Sequence, residues 1–286
     1  MADSATAQFP LAGTRVVCLA IYVPGPVAAS RLRELGARVV FVEPPAGDPL
    51  ARWSPDWYDA LRGRERVLRL DLKRRRARST FERVLGTADL LLTAIRPAAL
   101  DRLGLGWEAL HARHPRLVHV AITGYAGLLG DMPGHDLTYQ ASAGLTTPPQ
   151  LPATLLADLA GAERAVSAAL ALLLARDRGH GVARAEISLA DAASEFATPL
   201  RHRLTSPGAV LGGGHPGYGY YRARDGWLAV GALEPHLWAA LLEALTLAAD
   251  ADRPAVEEAF RGESVDHWQR WAVRLGLPVV GAGPKL

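Results

Sequence analysis

Thr14-Arg15-Val16-Val17-Cys18-Leu19-Ala20, the turn Val23-Pro24-Gly25-Pro26, a helical pattern through Ala28, Leu32 and Leu35 to Gly36, and Arg38-Val39-Val40-Phe41-Val42-Glu43 form one unit of sequence. Two apolar runs of strand length flank a segment whose apolar residues recur at helical spacing. Gly36 stands where a helix can end on a left-handed residue, and Pro44-Pro45 stop the second run. Strand, glycine turn, helix, strand predicts a right-handed parallel crossover. The full G-x-G-x-x-G is absent, so this unit gives no support to a nicotinamide or flavin dinucleotide site.

The alternation continues. Residues 67–70 read as a third strand, 74–85 as a helix, 88–94 as a fourth strand and 117–122 as a fifth. Ligands of open parallel sheets sit beyond the carboxyl ends of the strands, which here are residues 21–26, 43–48, 94–97 and 123–127. Further on, residues 161–176 read as a helix and 185–189 as a strand leading into another. Gly212-Gly213-Gly214-His215-Pro216-Gly217 reads as a flexible loop. Residues 218–222 and 227–231, joined by Asp225-Gly226, predict a β-hairpin. Helices are expected at 234–248, 253–260 and 267–275. The sequence thus predicts a large α/β domain over residues 1–190 and a smaller α+β domain over 191–286.

The chain has 286 residues, 49% of them apolar and 21% charged, which suits a globular protein with a sizeable core. Its longest apolar run, residues 165–175, is too short to span a bilayer. Residues 1–10 lack the basic start and apolar centre of a secretory leader. Cys18 is the single cysteine; it excludes an internal disulfide and fits a reducing compartment. The expectation is a cytoplasmic protein with no membrane partner. Lys73 and Lys285 are the only lysines, and arginine is densest from Arg62 through Arg66, Arg69 and Arg76 to Arg83. Such a run reads mostly as a solvated face, although guanidinium groups also suit an anionic ligand. Neither a recognition motif nor aromatic interleaving accompanies it, so nucleic acid is not expected as a partner.

One polar stretch stands out. Gly134-His135-Asp136-Leu137-Thr138-Tyr139 and Leu155-Leu156-Ala157-Asp158-Leu159 place a histidine and two carboxylates among small, apolar and proline residues. From the residues alone, two readings stay open: a place for chemistry, or a buried polar pair holding a loop.

Several phrases, in order, resemble the family III coenzyme A transferases (CaiB/BaiF), and within them the α-methylacyl-CoA racemase branch. They are Leu11-Ala12-Gly13-Thr14-Arg15-Val16-Val17, Gly47-Asp48-Pro49, Leu70-Asp71-Leu72-Lys73, Ala88-Asp89-Leu90-Leu91-Leu92 running to Arg96-Pro97, and Arg102-Leu103-Gly104-Leu105-Gly106. Gly134-His135-Asp136, Ala157-Asp158-Leu159-Ala160-Gly161 and Asp225-Gly226-Trp227-Leu228-Ala229-Val230-Gly231 complete the set. The resemblance implies a Rossmann-like large domain with a parallel sheet, a small α+β domain and an interlocked homodimer. It implies an acyl-CoA substrate, with coenzyme A as part of that substrate and no tightly bound cofactor or metal. Val23, Pro24, Leu72, Lys73, Arg96, Arg102 and Tyr125 match positions that contact coenzyme A in relatives.

The same resemblance makes Asp158 catalytic. In the transferases the aspartate is a nucleophile that carries an acyl anhydride and then a CoA thioester. In the racemases it is one half of an acid/base pair, and the other half is the histidine of Gly-His-Asp, here His135. Histidine, with an unperturbed pKa of about 6.5, suits two-way proton transfer. Glu234, in Gly231-Ala232-Leu233-Glu234-Pro235, resembles a racemase glutamate that supports the site; read alone, it is equally a helix first-turn acid. Asp136 is expected to orient His135 or cap the next helix. The glycine loop at 212–217 resembles one that closes over the intermediate in formyl-CoA transferases. Three departures stand against the pattern: the sequence ends soon after Leu277-Pro278-Val279-Val280, residues 144–152 are compressed, and Pro44-Pro45 replace a basic residue. The expectations are, in order, a racemase or epimerase of a 2-methyl-branched acyl-CoA, a CoA-transferase, and a non-catalytic acyl-CoA binder or partner subunit.

Overall fold

The computed structural model describes residues 9–181 and 183–283. Most of the amino-terminal stretch read above for a leader, and Lys285, lie outside the described residues. The chain divides into two compact units, Met1–Ala197 and Thr198–Leu286. Residue 190, where the domain boundary was expected, falls inside the helix Leu189–Phe196.

In the first unit, β1 (Arg15–Leu19), β2 (Arg38–Glu43), β3 (Arg66–Arg69), β4 (Leu90–Thr93), β5 (Val118–Thr123) and β6 (Arg184–Ser188) form one sheet. Its order is β3-β2-β1-β4-β5-β6, with every pair parallel. This is the doubly wound order, and the chain reverses direction between β1 and β4. The register sets Val17 against both Val40 and Leu91. Alternate residues serve opposite faces. Val16, Cys18, Leu90, Leu92, Val118 and Val120 pack in one cluster with residues of the helices Pro24–Glu34 and Leu156–Asp177. Val17, Leu19 and Leu91 pack in the other with Phe81, Leu85, Leu100 and Leu110. Burial on both faces is why these strands read as nearly unbroken apolar runs.

The helix Pro24–Glu34 ends as its sequence suggested, with Gly36 at φ +102° just past the last turn. Other features differ from the sequence reading. Helices at Leu50–Trp53, Pro55–Arg62, Pro97–Arg102, Trp107–Arg113 and Asp136–Ser142 were not foreseen. The long helix begins at Leu156 rather than 161, which puts Asp158 in its first turn. Arg62 is no part of a solvated face. It is only 3% exposed, with Nη2 3.1 Å from Glu43 and 2.7 Å from Asp48.

The second unit holds β7 (Tyr218–Arg222), β8 (Trp227–Gly231) and β9 (Val279–Ala282) in an antiparallel sheet of order β7-β8-β9. The hairpin was legible; β9, a short Val-Val-Gly-Ala run, was not. Tyr221, Leu228, Val230, Phe260 and Trp268 form the core of this unit. Nη2 of Arg253 donates to the carbonyls of Gly213, His215 and Tyr218, at 3.0 Å each, and so fastens the glycine-rich loop. Among the described residues no helix is long and apolar enough to cross a membrane.

Candidate active site

Two neighbouring cavities open where β1 and β4 end, at the reversal point of the sheet. One, of about 350 Å³, is lined by residues including Tyr22, Pro24, Arg96, His135, Tyr139 and Asp158. The other, of about 650 Å³, is lined by residues including Tyr22, Glu43, Leu72, Lys73, Arg96 and Leu103. Ile21, Tyr22, Ala94, Ile95 and Arg96 belong to both and form the wall between them.

Asp136 anchors the smaller cavity. It is 5% exposed, and one oxygen accepts the Asp158 backbone N–H at 3.0 Å. Its other oxygen accepts from Gln140 Nε2, which donates again to the Thr154 carbonyl at 3.0 Å. Gln140 lies one turn further along the same helix, so the two side chains meet on one face. The pair thereby caps the long helix from 22 positions upstream, supplying an acceptor that Leu155 at the helix start does not have. Of the two jobs expected of Asp136, this contact is the cap.

Asp158 faces a different environment. Burial, and then the charge of Asp136, push its carboxyl from 3.8 up to about 7. A helix N-terminus ordinarily favours the carboxylate. Among the described residues, however, no donor to the Asp158 carboxylate offsets the desolvation. The group therefore exchanges a proton near neutrality, which is what an acid/base or a partly desolvated nucleophile requires.

His135 heads the helix Asp136–Ser142. Its N–H donates to Thr138 Oγ1 at 3.1 Å, and its carbonyl accepts the Thr138 N–H at 2.8 Å. With the backbone fixed at both ends, the imidazole lines the cavity edge-on to Tyr22, ring centroids 6.0 Å apart. Tyr139, 2% exposed, closes the same cavity, and burial raises its hydroxyl to about 12. Glycine is required opposite it: a Cβ on Gly134 would stand 2.6 Å from the Tyr139 ring, and one on Gly124 would strike its hydroxyl.

Of the residues expected to hold coenzyme A, Pro24, Leu72, Lys73 and Arg96 line the cavities, with Lys73 and Arg96 exposed. Val23 is buried at the start of the helix Pro24–Glu34 and packs in the core. Tyr125 lies edge-on to Tyr139, 5.3 Å between centroids, outside both linings. Arg102 is exposed at the end of its helix and is also outside them. Glu234 belongs to the second unit, where it is exposed and its carbonyl accepts the Trp238 N–H. Cys18 is buried and its thiol is pushed up to about 12 by desolvation, so it is no nucleophile. Among the described residues, no group of three or more histidines, cysteines or carboxylates could hold a metal ion. Tyr22 was missed from the sequence: it follows an apolar run, and nothing in the residue type marks its φ of +69°.

A doubly wound parallel sheet with two cavities at its reversal point defines an α/β protein of Rossmann-like architecture. More specifically, the chain belongs to CoA-transferase family III, whose model matches residues 11–275. It is 32% identical to the human α-methylacyl-CoA racemase over 84% of this chain and 66% of that protein. It is 28% identical to the acetyl-CoA:oxalate CoA-transferase of Acetobacter aceti over 97% of this chain and 81% of that one. A solved structure of Rv3272 from Mycobacterium tuberculosis superposes with a TM-score of 0.84 at 28% identity, over 96% of this chain and 85% of the other. The chain thus spans about two thirds of the length of its human relative.

Proposed function

We propose that this protein is an enzyme acting on acyl-CoA thioesters, a racemase or epimerase of a 2-methyl-branched acyl-CoA. The observation that carries the reading is that His135 and Asp158 line one cavity and that Asp158 holds its proton up to about pH 7. The thioester carbonyl acidifies the α-carbon. One of the two groups removes the α-proton, leaving an enolate, and the other returns a proton to the opposite face, so the bond broken and the bond formed are both C–H. A carboxyl held near 7 across the cavity from an imidazole gives the reaction one group to take the proton and one to return it, in either direction. The coenzyme A portion is assigned to the larger cavity, with Lys73 and Arg96 as cations for its phosphates. Exposed Leu128, Leu129 and Leu137, on segments flanking Gly134, support a second copy of the chain as partner.

The test is incubation with 2-methylacyl-CoA in deuterium oxide. Deuterium should enter at the α-carbon, and His135→Ala and Asp158→Asn should each slow its entry at least ~100-fold. No incorporation by the wild-type protein overturns the reading.

A second reading, CoA transfer through Asp158 as nucleophile, rests on the desolvated carboxyl alone and needs no proton relay through His135. The glycine loop, its supposed lid, is fastened by Arg253. Hydroxylamine trapping that labels Asp158 during acyl-CoA turnover, with exchange absent, would favour transfer.

A further inference from the structure

Gly47-Asp48-Pro49 and the arginine at 62 have no part in the chemistry described so far, yet they build a closed network beside the site. Asp48 is 3% exposed. Its Oδ2 receives Arg62 Nη2 at 2.7 Å, and its Oδ1 receives the N–H groups of Leu50 at 2.9 Å and Tyr22 at 3.0 Å. The Arg62 guanidinium lies over the rings of Phe41 and Tyr58, 4.4 and 4.6 Å from their centroids, and donates to Glu43 as well. Glu43 in turn accepts from the Tyr58 hydroxyl at 2.9 Å. Glu43, Asp48 and Arg62 are each no more than 3% exposed, and both Asp48 oxygens are engaged, which fixes the Asp48 carboxylate.

What it holds is Tyr22. This residue is in the left-handed region at φ +69°, a conformation that a tyrosine adopts only when its surroundings fix it. Its ring stacks on Trp53, centroids 5.6 Å apart, meets His135 edge-on, and lines both cavities. We infer that Asp48, locked by Arg62, is a positioning residue: it holds Tyr22 in its left-handed turn, and Tyr22 sets the passage between the two cavities and the placement of a thioester against His135. The last clause rests on the acyl-CoA reading proposed above; the hold on Tyr22 does not.

A double-mutant cycle tests it with Asp48→Asn and Tyr22→Ala, in the full chain, read in two ways. The first readout is α-proton exchange with 2-methylacyl-CoA. Asp48→Asn should lower kcat about tenfold while the Kd for free coenzyme A moves less than about threefold, and in the Tyr22→Ala background it should have no further effect. The second is the ¹⁹F resonance of Trp53 in protein labelled with 5-fluorotryptophan, assigned by Trp53→Phe. It should shift more with Asp48→Asn when Tyr22 is present than when Tyr22 is alanine, where only the Asp48–Leu50 bond at the head of the Trp53 helix is altered. Equal losses, or equal Trp53 shifts, in both backgrounds overturn the inference. If the wild-type protein catalyses no exchange, the acyl-CoA reading is what fails, and the resonance alone decides the hold on Tyr22. Should Asp48→Asn not fold, Asp48→Asn with Arg62→Gln, which removes one charge of each sign, takes its place in the cycle.

Discussion

Two pairs of carboxylates, three of the four side chains buried and Asp158 partly so, sit along the carboxyl edge of the same sheet, and they are solved differently. Glu43 and Asp48 share a buried cation, Arg62, within 3.1 and 2.7 Å. Among the described residues Asp136 and Asp158 have none: Asp136 is met by an amide and a backbone N–H, and Asp158 is left with burial and a like charge nearby. Charge taken out of water must be paired, donated to, or neutralised by a proton. The first pair takes the first route and becomes scaffold. Asp158 takes the last, which is the property that the proposed proton transfer draws on.

The contrast is broken most severely by removing the cation. Arg62→Met leaves Asp48 buried without a cation and Glu43 with only the exposed Arg69, 3.7 Å away, and should cost about 3–5 kcal/mol of folding stability, read by urea unfolding at pH 7. Asp158→Asn should act in the opposite direction. A carboxyl whose folded pKa is raised binds its proton more tightly in the native state than in the unfolded chain, so it lowers stability as pH rises from about 4 to about 7. The asparagine side chain carries no such charge. The variant should match the wild type near pH 4 and exceed it at pH 8 by at most about 4 kcal/mol, at about 1.36 kcal/mol per pKa unit; partial access of solvent to the cavity reduces the gain. An unfolding free energy unchanged at pH 8 would mean that Asp158 is ionised there without penalty.

The same contrast explains what could be read in the sequence. The strands β1, β2, β4 and β5 and the hairpin of β7 and β8 were legible because burial on both faces, or a tight Asp-Gly turn, writes directly into the residue pattern. His135 and Asp158, which line one cavity, were picked out by their flanking phrases. The first turn of the long helix was hidden, since its cap is Asp136, 22 positions away, and no local residue announces it. Arg62 was hidden in a run of surface arginines; only tertiary packing distinguishes it from its neighbours. Tyr22 was hidden because left-handed turns are ordinarily marked by glycine, and here a distant carboxylate takes over that role. Arg102, Val23 and Tyr125, brought in by motif position, fall outside the cavity walls, because a shared phrase fixes a place in the chain and not a side chain's direction.

Asp158 exchanges its proton near neutrality because, among the described residues, nothing but a proton relieves its desolvation. Titration of the aspartate carboxyls by ¹³C NMR, with the Asp158 signal assigned by Asp158→Asn, measures this directly. The midpoint should lie near 7, lowered in Asp136→Asn yet still above the ordinary carboxylate range, because burial outweighs the neighbouring charge. A midpoint near 4 in the wild-type protein would contradict it.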